Sequence, residues 1–200
     1  MGVGFVEKEK PVNILGFAGS LRRQSYNKAL LRVAVELAPS DARIDVFDLE
    51  GIPPFNQDSE TQPPPRVKEF KAKVKAADAI LIVTPEYNYS IPGVLKNAID
   101  WASRPYTDNA FEGKPVAMMG ASTGMLGTSR AQYHLRQSFV FLNMHPTNRP
   151  EIFVAYAQEK FDENGNLKDE KTQQQIAKLI ISLVAWTIKL RKETVESPQK

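Results

Sequence analysis

Ala79-Ile80-Leu81-Ile82-Val83 is an unbroken apolar run between Asp78 and Thr84. A strand with one wet face alternates apolar and polar residues, whereas a continuous run suits a central parallel strand covered on both faces. Val12 to Ala18, ending in Gly19, and Pro115 to Met119, ending in Gly120, also read as strands. Between such runs the periodicity changes to that of helices. Leu30, Val33, Ala34 and Leu37 recur at helical spacing until Pro39, and Val67, Phe70 and Val74 mark a second helix. Pro92 suits the first turn of a third, with Val94, Leu95, Ala98 and Ile99 facing inward. A fourth helix is expected from Thr128 to Leu142, and a last one carries Ile176, Leu179, Ile180, Leu183 and Val184 on one stripe. Arg43 to Leu49 and Ile152 to Ala155 supply the remaining strands, and Glu163-Asn164-Gly165-Asn166 reads as a turn.

Strand and helix thus alternate along the chain, which calls for a three-layer α/β fold: a five-stranded parallel sheet with helices on both faces. No internal repeat or composition break divides the 200 residues, so 1–200 is expected to form a single domain, with flexible tails at 1–10 and 192–200. In such sheets ligands sit beyond the carboxyl ends of the strands, where strand order reverses. That logic directs attention to Gly19–Asn27, Pro85–Ile91 and Ala121–Thr128.

Composition narrows the chemistry. With no cysteine and two histidines, a disulfide scaffold, an iron–sulfur cluster, a zinc finger and a cysteine nucleophile are excluded, and no metal site is expected. A net charge of +3 is too small and dispersed to argue for nucleic acid. No apolar run approaches the roughly 20 residues that span a bilayer, and Glu7 and Lys8 follow too closely on the apolar start for a signal peptide. Val6 stands where an N-myristoylation signal needs Ser or Thr, so a cytoplasmic protein without a membrane partner is expected. Difficult chemistry must come from carboxylates, hydroxyls or a borrowed cofactor.

The first loop, Gly19-Ser20-Leu21-Arg22-Arg23-Gln24-Ser25-Tyr26-Asn27, leaves a strand and enters a helix. Its backbone N–H groups and the helix's positive end face any ligand there. Ser20, Ser25 and Asn27 add neutral donors, and Arg22 adds a fork for phosphate oxygens. This is neither the dinucleotide fingerprint nor a P-loop, so a terminal phosphate monoester is favoured. An ordinary capped helix start uses the same residue types. In the second loop, Pro85-Glu86-Tyr87-Asn88-Tyr89-Ser90-Ile91-Pro92, the prolines stiffen both ends while Tyr87 and Asn88 offer a ring and an amide to a flat aromatic ligand. A rigid turn whose tyrosines simply pack is the alternative. The third loop, Ala121-Ser122-Thr123-Gly124-Met125-Leu126-Gly127-Thr128, has glycines that let backbone amides approach a ligand, as a tight connection would also have.

Taken together, Gly19-Ser20-Leu21-Arg22 with Ser25 and Asn27, and Pro85 to Gly93 running into Leu95-Lys96-Asn97-Ala98-Ile99-Asp100-Trp101, resemble the NADPH-dependent FMN reductase family. Gly127 to Arg136 is similar to its chromate and quinone reductase branch, and the resemblance covers about residues 12 to 155. It implies a flavodoxin-like fold with bound FMN. Carried over by position, Ser20, Arg22, Ser25 and Asn27 would hold the phosphate. Pro85, Glu86, Tyr87 and Asn88 would line the ribityl chain and ring, and Ser122 would lie near the ring's polar edge. Tyr26 and Gly124 complete the cofactor-binding set. Gly127-Thr128 departs from the branch, which often has two glycines there.

The resemblance implies an NAD(P)H oxidoreductase, with NADPH as co-substrate and NADH possible, that passes electrons through FMN to a quinone, free flavin, azo compound or chromate by alternating occupancy. The alternative is a flavodoxin-type electron carrier without direct NADPH oxidation. A receiver domain is rejected, because Thr84-Pro85 stands where its phosphoacceptor Asp would be. No catalytic residue is named, Glu86 included, since the cofactor does the chemistry and the protein positions it. Trp101 is read as core or interface packing, His134 and His145 as structural or surface residues, and Lys68, Lys71, Lys73 and Lys75 as a solvated face. A homodimer or homotetramer is expected, with Tyr89, Ile91 and Trp101 offering apolar area to a second subunit, and Arg130, Tyr133 and Glu151 adding contacts implied by the resemblance.

Overall fold

A computed structural model describes residues 10–196. The elements follow in order: β1 (Val12–Ala18), α1 (Tyr26–Glu36), β2 (Ala42–Phe47), α2 (Pro65–Ala76), β3 (Ala79–Val83), α3 (Gly93–Ala102), β4 (Pro115–Ala121), α4 (Ser129–Phe141), β5 (His145–Pro146), β6 (Phe153–Val154), α5 (Ala157–Lys160) and α6 (Glu170–Glu196). The strands pair in the order β2-β1-β3-β4-β5, with β6 also on β4, and every pairing is parallel. The chain therefore builds outward from β1 to β2, then crosses back to place β3 on the other side of β1. The carboxyl ends of β1 and β3 mark the reversal of strand order.

The period-2 geometry of the central strands sorts their side chains into two cores. Ile14, Leu81 and Met119 pack with Leu30 and Ala34 of α1 and with Leu179 and Leu183 of α6. Phe17, Ile82 and Met118 point the other way, to Phe70 of α2, Leu95 of α3 and Phe139 of α4. Phe17 and Phe47 both meet the Phe70 ring, at 5.3 and 5.0 Å between centroids. Gly16 faces α1, where an added Cβ would stand 2.7 Å from Leu31, so its lack of a side chain lets α1 sit close to the sheet. The result is the flavodoxin-like three-layer sandwich.

Several boundaries differ from the sequence reading. The sheet has six strands rather than five: the segment expected as one strand at Ile152–Ala155 is the second of two short strands laid along β4. Pro146 and Pro150 lack the N–H that a continuous ladder needs, which breaks that edge in two. Pro92 is the N-cap of α3 rather than part of its first turn. α6 continues to Glu196, so the tail expected at 192–200 begins as helix; residues 1–9 and 197–200, with the readings placed on them, lie outside the described residues. The lysine face of α2 is not uniformly solvated: Lys71 is buried, donating to the carbonyl of Arg104 and pairing with Asp108 at 3.1 Å. Among the described residues no helix is long and apolar enough to cross a membrane.

Candidate functional site

The first loop begins where Gly19 donates its N–H to the carbonyl of Val83 at 2.8 Å, tying the end of β1 to the end of β3. Ser25, in extended geometry, caps α1: its hydroxyl accepts from the N–H groups of Asn27 and Lys28 at 3.2 and 3.4 Å. Asn27 is buried, and its amide makes a reciprocal pair with the backbone of Ala121. Nδ2 donates to the carbonyl at 3.0 Å, and Oδ1 accepts from the N–H at 2.9 Å. The start of α1 is thereby fixed to the end of β4. Ser20 is also buried, yet its hydroxyl has no protein partner among the described residues. Arg22 is exposed, lies 5.7 Å from the Tyr26 ring and forms no ion pair among them.

The second loop is a tight turn. Tyr87 and Ser90 exchange backbone hydrogen bonds at 3.0 and 2.9 Å, and the central residues Asn88 and Tyr89 sit at φ 51 and 63. Left-handed backbone is tolerable for Asn but costs a tyrosine about 1–2 kcal/mol. The strain is held in place from α4: the guanidinium of Arg130 stacks 3.7 Å over the Tyr89 ring and approaches Glu86 at 3.7 Å. Glu86 also accepts from the N–H of Ala131 at 3.0 Å, in the first turn of α4, where a carboxylate complements the helix dipole. Ser90 Oγ and His134 Nδ1 lie 2.7 Å apart, closing a second link between the same elements.

The third loop depends on close approaches. A Cβ on Gly120 would fall 2.1 Å from the carbonyl oxygen of Thr84 and 2.2 Å from Thr128 Oγ1, so only glycine lets these segments converge. Gly127 has φ +58, and a Cβ on it would stand 2.7 Å from the backbone of Phe153, which again demands glycine. Thr128, the departure from the resembled branch, sits at φ −129 and needs no glycine. It is fully buried, and its hydroxyl accepts from Gln132 Nε2 at 2.8 Å.

These loops enclose a cleft of about 190 Å³, lined by Ser20, Arg22, Ser25, Tyr26, Asn27, Pro85, Glu86, Tyr87, Ala121, Ser122 and Thr123. Asn88 and Gly124 lie farther along the same loops and do not line it. The Gly124 N–H donates to Ser122 Oγ at 3.2 Å, and its carbonyl accepts from Gly127 and Tyr156. A hydroxyl with no protein partner among the described residues, a guanidinium without a carboxylate and the positive end of α1 suit a phosphate monoester. The half-exposed Tyr87 at the rim suits a flat ring beside it. The donor set therefore fits FMN.

Some neighbours behave differently from the sequence reading. Trp101 offers no area to a second subunit: it is 2% exposed, donates Nε1–H to the carbonyl of Pro53 at 2.8 Å and meets Phe55 edge-on at 4.9 Å. Ile91 is half-buried against the core, whereas Tyr89 is 69% exposed. Tyr133 pairs within its own chain with Glu151, and this hydrogen bond raises its pKa by stabilising the neutral phenol. The Asn27–Ala121, Glu86–Ala131 and Ser90–His134 links escaped the sequence reading. Each joins residues at least 44 positions apart, so no local spacing announces it.

The family model described as NADPH-dependent FMN reductase matches residues 12–159. An NAD(P)H-dependent FMN reductase of Pseudomonas aeruginosa is 50% identical over 181 residues, covering 90% of this chain and 97% of that protein. A 2-hydroxy-1,4-benzoquinone reductase of a Burkholderia species is 44% identical over 84% of this chain and 92% of its own length. Among solved structures, the flavoenzyme NAD(P)H:acceptor oxidoreductase FerB of Paracoccus denitrificans superposes with a TM-score of 0.81 at 34% identity, covering 89% of this chain and 98% of that one.

Proposed function

The chain belongs to the NADPH-dependent FMN reductase family, and on that premise we propose that it takes electrons from NAD(P)H and delivers them to a quinone or a free flavin. The observation that carries this reading is the cleft at the reversal of strand order, where the uncommitted Ser20 hydroxyl and Arg22 guanidinium meet the positive end of α1 beside Tyr87. Bound there, FMN supplies the two-electron chemistry.

The chain's own residues bind and position. Ser20, Arg22, Ser25 and Tyr26 hold the phosphate end, and Asn27 acts by fixing the first turn of α1 against β4. Pro85, Glu86 and Tyr87 would shape the ribityl and ring walls and Ser122 would lie near the ring's polar edge, with Asn88 and Gly124 supporting these loops from beyond the cleft. Glu86 works through its grip on Ala131 and Arg130 rather than as an acid or base. No second nucleotide domain is present among the described residues to hold donor and acceptor apart, so the two take turns at one exposed face. The relatives named as quinone reductases support a quinone as acceptor, and azo compounds and chromate are further acceptors of the same electron-poor kind. The protein works in the cytoplasm as a homodimer or homotetramer, with the exposed Tyr89 and Tyr133 against a second subunit.

Steady-state rates with NADPH and 1,4-benzoquinone varied together test this reading. Parallel double-reciprocal lines are expected. Intersecting lines contradict the alternation, and an absence of NADPH oxidation with both the quinone and free FMN as acceptors contradicts the reductase itself.

A further inference from the structure

A second cleft, of about 320 Å³, opens beside the first between the start of α1 and the turn at residues 162–165. Its α1 side carries three guanidinium groups, from Arg22, Arg23 and Arg32, and its far side carries Asp162 and Glu163. Tyr26 packs on Phe161 at 5.0 Å between ring centroids, which joins the two walls. None of the three arginines forms an ion pair among the described residues, and Arg32 reaches only the Gly165 carbonyl, at 3.5 Å. Asp162 is committed to its own turn, accepting from the N–H and Nδ2 of Asn166 at 2.7 and 2.9 Å. Among the groups lining this cleft, Glu163 is then the one uncommitted carboxylate facing three unpaired cations.

Arg22, Ser25 and Tyr26 line both clefts, so the two adjoin across these side chains. A ligand longer than FMN that works in the first has its far end within reach of the second. Forked, permanently charged guanidinium groups match the oxygens of a phosphate dianion better than those of any neutral group. We infer that this second cleft receives the 2′-phosphate of NADPH, and that Arg23 and Arg32 set the preference for NADPH over NADH. The inference rests on the reductase reading above and names the part of the donor that the site distinguishes.

The test uses the FMN-loaded protein and two readouts. In calorimetry, 2′,5′-ADP is expected to bind about tenfold more tightly than 5′-AMP, which lacks the 2′-phosphate, and Arg32→Gln is expected to erase most of that difference. In turnover, Arg32→Gln and Arg23→Gln are each expected to lower kcat/KM for NADPH by about tenfold while kcat/KM for NADH changes by less than about twofold. Arg32→Lys keeps a cation and should recover part of the loss. Unchanged FMN content shows that each variant is folded. Equal losses with both nucleotides, or no difference between 2′,5′-ADP and 5′-AMP in the unaltered protein, overturn the inference and leave the reductase reading standing. Failure of the unaltered protein to oxidise either nucleotide removes the reductase reading and this inference with it.

Discussion

The amide of Asn27 pairs with both backbone groups of Ala121, donating at 3.0 Å and accepting at 2.9 Å, and so locks the start of α1 to the end of β4. Asn27→Ala leaves a buried donor and a buried acceptor unsatisfied, each at about 1–3 kcal/mol. Urea denaturation of this variant should show a loss of at least about 2 kcal/mol, together with weaker FMN binding. Asn27→Asp keeps the acceptor but sets a buried carboxylate oxygen against the Ala121 carbonyl, so at pH values where it is ionised its loss should equal or exceed that of the alanine variant. A stability equal to the unaltered protein would mean that the pair contributes nothing.

Arg22 has no protein carboxylate to neutralise it among the described residues and stands beside the cleft. Arg22→Ala is expected to weaken FMN by about tenfold or more while leaving riboflavin, which lacks the phosphate, nearly unaffected. Fluorescence titration of the apoprotein with both ligands measures this. Equal losses would place Arg22 away from the phosphate.

Asp169, immediately before α6, accepts from the hydroxyl and the N–H of Thr172, and the hydroxyl contact is the main reason its pKa lies below the ordinary 3.8. A depressed folded-state pKa gives stability that is present above the unfolded value and lost as pH falls through the folded one. The acid limb of the stability curve should therefore steepen below about pH 3.8. Asp169→Asn keeps a capping acceptor and removes the titration, so it should flatten part of that limb. An unchanged acid limb would assign the loss to other carboxylates such as Asp48, also depressed below the ordinary range despite the opposing effect of its burial, by hydrogen bonds from Lys28 and Glu50 and by the charge of Lys28.

Tyr89, in the second loop, and Tyr133, on α4, are 69% and 54% exposed, whereas Trp101 is covered by its own subunit. Sedimentation equilibrium at micromolar concentration should report at least twice 22.4 kDa. Tyr89→Asp should shift the distribution toward monomer, since a charge replaces apolar area at the contact. A monomer with tight FMN binding and full activity would contradict the oligomer.

The central strands were legible because burial on both faces leaves a run such as Ile80-Leu81-Ile82 with no polar interruption. The three loops were legible because strand-to-helix junctions are where ligands meet open backbone groups, and nine of the residues read as cofactor-binding line one cleft. The strand expected at Ile152–Ala155 contains β6, but β5 was not legible, since two residues give no periodicity to read. Nor was the role of Glu86, which looks like an acid in a ligand loop until α4 folds back to place the Ala131 N–H against it. Trp101 shows the same limit: helical spacing turned it inward, but only the loop at Pro53–Phe55 decided what covers it.

The most direct measurement is the absorption spectrum of the purified protein, recorded anaerobically before and after NADPH. A reductase built on this cleft should show a flavin spectrum, native or restored by added FMN, that bleaches on addition of the nucleotide. A protein that takes up no FMN would contradict the reading of the cleft, and a flavin spectrum untouched by NADPH or NADH would leave an electron carrier in place of the reductase.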